Sequence, residues 1–62
     1  MDKQKLNDIR YTTKQASRKI TVATKKAEEG NYEKASEYLH ETANSLNTLA
    51  DELEVIITEK NG

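Results

Sequence analysis

The chain has no cysteine and only one histidine among its 62 residues. Without cysteine it can form no disulfide, and a single histidine excludes a histidine-rich metal site. A monomer of this length buries only about 60% of the surface that its unfolded chain exposes, so small domains usually need a further constraint. The constraint left to this sequence is association with other chains, and we expect a homo-oligomer.

Long apolar runs are missing as well. The longest run is Val55, Ile56 and Ile57, far short of the roughly 20 apolar residues that a membrane-spanning helix needs. No segment has the pattern of a signal peptide. We therefore expect one domain, residues 1–62, located in the cytoplasm and without a membrane partner.

The net charge of −1 conceals an uneven distribution. Residues 1–29 carry eight basic and four acidic side chains, a net charge of +4, whereas residues 30–62 carry two basic and seven acidic side chains, a net charge of −5. The favoured interpretation is that the two halves pack side by side, each exposed ion pair contributing about 0.2–1 kcal/mol. The alternative is that the basic half binds an anion.

Apolar residues recur at alternating steps of three and four along both halves of the chain. The first series is Leu6, Ile9, Thr13, Ala16, Ile20, Ala23 and Ala27; the second is Tyr32, Ala35, Leu39, Thr42, Leu46, Leu49, Leu53 and Ile56, with Ala43, Ala50 and Ile57 beside it. No stretch alternates with a period of two, so the pattern excludes strands. The spacing predicts two amphipathic helices, over about 3–29 and 32–60.

Proline is absent, and Gly30 is the only glycine before the C-terminal residue. Helices commonly end at a left-handed glycine, and an asparagine side chain can accept a free amide at the start of the next helix. Gly30 and Asn31 therefore predict a corner of two or three residues, which makes the helices antiparallel. We expect an all-α, antiparallel two-helix hairpin, with Tyr32 packed in the core beside the corner.

One hairpin covers only one side of each apolar series, so apolar surface is left over. Assembly of hairpins would cover it, and we favour a dimeric four-helix bundle, with a trimer as the alternative. Small residues of the first helix are expected to face leucines of the second, as with Ala23 opposite Leu39 and Ala16 opposite Leu46. The residues assigned to the oligomer core are Leu6, Ile9, Ile20, Leu39, Leu46, Leu49, Leu53, Ile56 and Ile57.

No catalytic constellation accompanies the ionisable residues. His40 has no serine, cysteine or second histidine at a helical spacing that would let it act as a base or ligand. The successive carboxylates Asp51 and Glu52 point in different directions around a helix. We expect a protein that is not an enzyme and that uses no cofactor or metal.

The outward side of the first helix offers a candidate binding surface. Tyr11 lies there, with Arg18 and Lys25 one and two heptads further along the helix. An exposed aromatic residue among bases is typical of a contact site. The same side carries a basic stripe, formed by Lys3, Arg10, Lys14, Arg18 and Lys25. Phosphate contacts of such side chains supply most non-specific affinity for nucleic acids.

The length of the chain, its corner near residue 30 and this basic stripe together resemble the Rop family of small plasmid proteins. That resemblance implies two-helix chains that dimerise into a four-helix bundle and bind paired RNA loops through the first helix. Lys14 stands where that family has a central aromatic residue.

A second resemblance lies in the segments QASRKITVATKKAEEGNYEKA and SLNTLADELEVII. They are similar to the first two helices of lactose/cellobiose-type phosphotransferase IIA proteins, which form trimeric helical assemblies. Ala50 occupies the position of the phosphorylated histidine of that family, so the resemblance implies the hairpin plan and not phosphate transfer.

We expect a non-enzymatic oligomer that binds another protein as an adaptor or small inhibitor, of the kind found in bacteria, phages and other mobile elements. The residues assigned to this partner are Tyr11, Arg18 and Lys25, together with Lys3, Arg10 and Lys14. One alternative is a Rop-like RNA-binding regulator. Another is sequestration of an anionic small molecule, such as a nucleotide, between protomers.

Overall fold

The computed structural model describes residues 3–61, and the side chains of residues 3–59. It contains two α-helices, α1 (Lys3–Glu28) and α2 (Tyr32–Asn61), and no strand within the described residues. The predicted all-α hairpin is confirmed, and each helix boundary agrees with the prediction within one residue. Met1, Asp2 and Gly62, which the predicted domain includes, lie outside the described residues.

The corner is formed as the sequence predicts. Gly30 has a φ of 83°, its N–H donates to the carbonyl of Ala27 at 3.0 Å, and the N–H of Asn31 donates to the carbonyl of Lys26 at 2.8 Å. This pair of hydrogen bonds is a Schellman motif, which satisfies carbonyls at the end of α1. The Asn31 side-chain oxygen accepts from the N–H of Lys34 at 3.2 Å and caps α2.

Gly30→Ala is expected to destabilise the fold by about 1–2 kcal/mol, the cost of a left-handed conformation for a residue with a Cβ atom. A Cβ atom at this position would have no neighbour within 4 Å, so the loss is backbone strain and not a collision. Gly30→Asn is the control, because asparagine tolerates this conformation better. Urea unfolding of the three proteins measures the difference; equal stabilities would contradict the assignment.

The contact between the helices contains few large side chains. The buried residues among those described are Ala16, Ala23, Ala35, Thr42 and Leu49. Only Leu49 is a large apolar residue, whereas nine large apolar side chains of the described part are exposed. Thr42 is buried without an unsatisfied hydroxyl, since its Oγ1 donates to the Tyr38 carbonyl at 2.8 Å. The single hairpin is therefore a thin layer, with Cα extents of 49 × 19 × 9 Å.

The α1 side of this contact differs from the predicted series. The predicted positions Ile9, Ala16 and Ala23 face α2, but Leu6, Thr13 and Ile20 are exposed. Their neighbours one residue earlier are half-buried instead: Lys5, Thr12 and Lys19. α2 thus packs closer to the polar flank of the predicted α1 series than to its apolar flank. On the polar flank, Lys5 and Lys19 form ion pairs with α2.

Three side chains of α2 that are expected to pack in the hairpin contact are exposed in the single chain. Tyr32 is 72% exposed and Leu39 is 50% exposed, and Leu46 is exposed as well. Tyr32 is the first residue of α2, so its side chain points back past the corner, where α1 has already ended at Glu28. Leu39 and Leu46 lie on the flank that α1 leaves open, and small residues of the two helices meet in their place.

Candidate interaction surfaces

One broad side of the hairpin, the bridged face, carries ion pairs between the helices. The Nζ of Lys5 lies 2.6 Å from Oε2 of Glu52, and the Nζ of Lys19 lies 3.7 Å from Oε2 of Glu41. A shallow cleft of about 150 Å³ opens on the same face. It is lined by Tyr11, Thr12, Gln15, Ala16, Lys19, Thr42 and Ser45. The bridged face is therefore the side on which charged side chains connect the two helices.

The opposite broad side, the apolar face, is defined by Leu6, Ile20, Leu39, Leu46 and Ile57. At about 100° per residue, these five positions fall on the flank of each helix that faces away from the ion pairs. All five side chains are exposed. Their exposure follows from the packing of α2 towards the bridged face. On α2 the exposed side chains form an apolar strip along the helix, whereas on α1 the polar residues Thr13 and Ser17 lie between Leu6 and Ile20.

Within α2 this strip has an uninterrupted heptad pattern. The six positions at steps of four and three are Leu39, Ala43, Leu46, Ala50, Leu53 and Ile57, and every one is apolar. A second series of α2 positions, which faces α1 or the bridged face, includes Thr42, Ser45 and Glu52. The chain therefore uses the more polar series for its own contact and leaves the more apolar one open. Such a pattern is typical of a helix that packs against a further helix.

The outer surface of α1, defined by Tyr11, Arg18, Val22 and Lys25, is separate from the apolar face. Tyr11 is 62% exposed, and Val22, about three turns further along the helix, is exposed as well. Arg18 lies about 20° and Lys25 about 40° from Tyr11 around the helix, so the four positions share one side. The other predicted partner-binding residues, Lys3, Arg10 and Lys14, are also exposed. The structure places these six predicted residues where a partner could reach them, while their role stays a prediction.

Searches against known protein families, curated proteins and solved structures find no match for this chain. The resemblances to Rop-like hairpins and to phosphotransferase IIA proteins therefore stay predictions. In the part of the chain that the structure describes, neither helix is long and apolar enough to cross a membrane.

The remaining ionisable residues of α2 are dispersed over its solvent side. His40 is exposed. Among the described side chains, no three histidines, cysteines or acids converge on a point that could hold a metal ion. The carboxylate of Glu37, 3.3 Å from the Nζ of Lys34, raises the pKa of that lysine through a hydrogen bond and through its charge. This pair lies on the surface of one helix and forms no site.

Sequence reasoning did not identify the acidic partners of the bridged face, Glu41 and Glu52. A signal for them exists: Lys5, Thr12, Lys19 and Lys26 repeat at steps of seven beside the apolar series. Such a polar column next to a helix contact often pairs with charges of the facing helix. An exposed polar column has the same spacing, so spacing alone does not distinguish the two cases.

Proposed function

We propose that this protein is a non-enzymatic, self-associating helical hairpin that binds another protein as an adaptor or inhibitor. The observation that carries the proposal is the imbalance of apolar burial: one large apolar side chain is buried among those described, and nine are exposed. Monomeric soluble proteins rarely expose large contiguous apolar patches. The apolar face supports self-association, and the outer surface of α1 supports the binding of a second protein.

The outer surface of α1 has the composition of a binding site for a protein with acidic groups. Aromatic residues and arginine are enriched at the energetic centres of protein interfaces. Tyr11 and Arg18 supply both kinds of residue at one heptad spacing, and Val22 adds an apolar contact. Among the described side chains, no acid lies within ion-pair distance of Arg18 or Lys25, so both charges are available to a partner.

Site-specific cross-linking tests this proposal directly. A photoreactive amino acid at position 11 is expected to cross-link a different protein in the source cell, because Tyr11 is the exposed aromatic residue of the proposed site. The matched control carries the same group at Val55, an exposed apolar position on the outer side of α2. Arg18→Glu with Lys25→Glu should abolish the cross-link from position 11 without changing helicity. Equal cross-linking from positions 11 and 55 would refute the chosen surface.

A second candidate function, RNA binding, is favoured by the arrangement of the basic stripe. Lys3, Arg10, Lys14, Arg18 and Lys25 are all exposed and make no ion pair among the described side chains. If the stripe contacts phosphates, affinity for a structured RNA should fall steeply as salt is added. Each basic residue replaced by a neutral one should reduce the slope of log affinity against log salt concentration by about one. Filter binding to a stem–loop RNA at several salt concentrations measures it, and no retention at low salt dismisses this candidate.

A further inference from the structure

The apolar face is exposed in the single chain, and the charges of the two helices indicate how a second copy would cover it. We infer that a second copy of this chain stacks on the apolar face with a two-fold axis parallel to the helices, so that both Gly30 corners lie at the same end of the bundle. This inference rests on the self-association part of the proposed function and adds the orientation of the copies.

The dimensions of the face suit a second copy. The whole broad side of the hairpin spans 49 × 19 Å between Cα atoms, and this area of roughly 900 Å² is comparable with the 800 Å² per partner of a standard interface. The exposed heptad series of α2 supplies side chains at the spacing that helix-to-helix packing uses. An identical copy presents the same series, so each chain covers the apolar face of the other along its full length.

Two flat layers can stack face to face in two symmetric ways. With the axis parallel to the helices, α1 of one copy lies over α2 of the other, and the corners share one end. With the axis across the helices, α1 lies over α1 and α2 over α2, and the corners lie at opposite ends. Both arrangements bury the same apolar residues, so burial alone does not choose between them.

The charges of the helices distinguish the two arrangements. α1 carries eight basic and two acidic residues, a net charge of +6, and α2 carries two basic and seven acidic residues, a net charge of −5. The same-end arrangement alternates positive and negative helices around the bundle, so every neighbouring pair attracts. The opposite-end arrangement places α1 beside α1 and α2 beside α2, where like charges repel.

The charged residues at the borders of the apolar face also favour the same-end arrangement. Arg10 lies on the α1 border and Glu54 on the α2 border, both exposed and both towards the open end of the hairpin. In the same-end arrangement Arg10 of each copy comes next to Glu54 of the other, twice by symmetry. In the opposite-end arrangement these two residues belong to different ends of neighbouring layers and do not meet.

Distance measurements between spin labels test the orientation. Because the chain has no cysteine, one introduced cysteine places one label on each copy. In Glu29→Cys, labels at the two corners should lie within about 30 Å in the same-end arrangement, because neighbouring helix axes are about 10 Å apart. The length of α1 would separate them by about 40 Å in the other arrangement. Thr58→Cys, near the open end, should give the same short distance.

Charge reversal gives an independent readout. Arg10→Glu is expected to weaken dimerisation about tenfold, and adding Glu54→Arg in the same chain should restore it. Added salt should also weaken the wild-type dimer, whereas it would strengthen the opposite-end arrangement. A dimer with long label distances overturns the orientation and leaves self-association standing. A monomer at all measurable concentrations overturns both this inference and the self-association part of the proposed function.

Discussion

Ile57→Glu is expected to raise the dissociation constant of the assembly at least 100-fold. Ile57 lies on the apolar face and is 56% exposed in the single chain, so the substitution should not disturb the hairpin contact. In a symmetric dimer the change occurs twice. Each site loses about 1.5–3 kcal/mol of apolar burial and places a carboxylate against apolar neighbours. Since 1.4 kcal/mol is a factor of ten, two sites exceed a factor of 100.

Val55→Glu is the matched control for this experiment. Val55 is also β-branched, lies two residues away and is 57% exposed, but it points to the outer side of α2. Sedimentation equilibrium over a range of concentrations should show dimers for Val55→Glu and single chains for Ile57→Glu. The melting temperature of the wild type should rise with protein concentration, because association stabilises the folded state. A melting temperature independent of concentration, with equal masses for both variants, would contradict the apolar face as an interface.

Leu49→Ala is expected to cost about 2–5 kcal/mol of stability, the usual range for a buried leucine. Leu49 is the one large apolar side chain that the hairpin buries among its described residues. The structure around a truncated core side chain relaxes only in part, so a cavity remains. Small domains have little stability to lose, so a large part of the population should unfold at ambient temperature.

Urea unfolding followed by circular dichroism measures this loss. Val55→Ala serves as the control, because truncation of an exposed side chain away from both contacts should change stability by less than about 0.5 kcal/mol. Leu49→Ala should remain destabilised at every protein concentration, which separates its effect from that of Ile57→Glu. A Leu49 variant as stable as the control would show that the hairpin contact contributes little to folding.

The proposed surfaces are compatible with one another. In the same-end arrangement the two copies of α1 occupy diagonal corners of the bundle, and Tyr11 faces outward on each. A dimer would then offer two equivalent binding surfaces on opposite sides. We expect two partner molecules per dimer, which the mass of the cross-linked complex can verify.

The helices and the corner were predictable because their determinants are local. The spacing of apolar residues indicates a helix from a few neighbouring positions, and Gly30 and Asn31 satisfy their backbone requirements within five residues of the chain. The exposed position of Tyr11 follows from the same periodicity. These features need no knowledge of which surfaces meet.

The face of each helix that the hairpin uses could not be read from the amino acids alone. Two heptad series share Ile9, Ala16 and Ala23. One of them adds Leu6 and Ile20 to that shared line, and the other adds Lys5 and Lys19. Apolar content favours the first flank, but α2 packs towards the second, where ion pairs connect the helices. The choice depends on long-range contacts and on the close approach that alanines allow, and spacing along one helix carries neither kind of information.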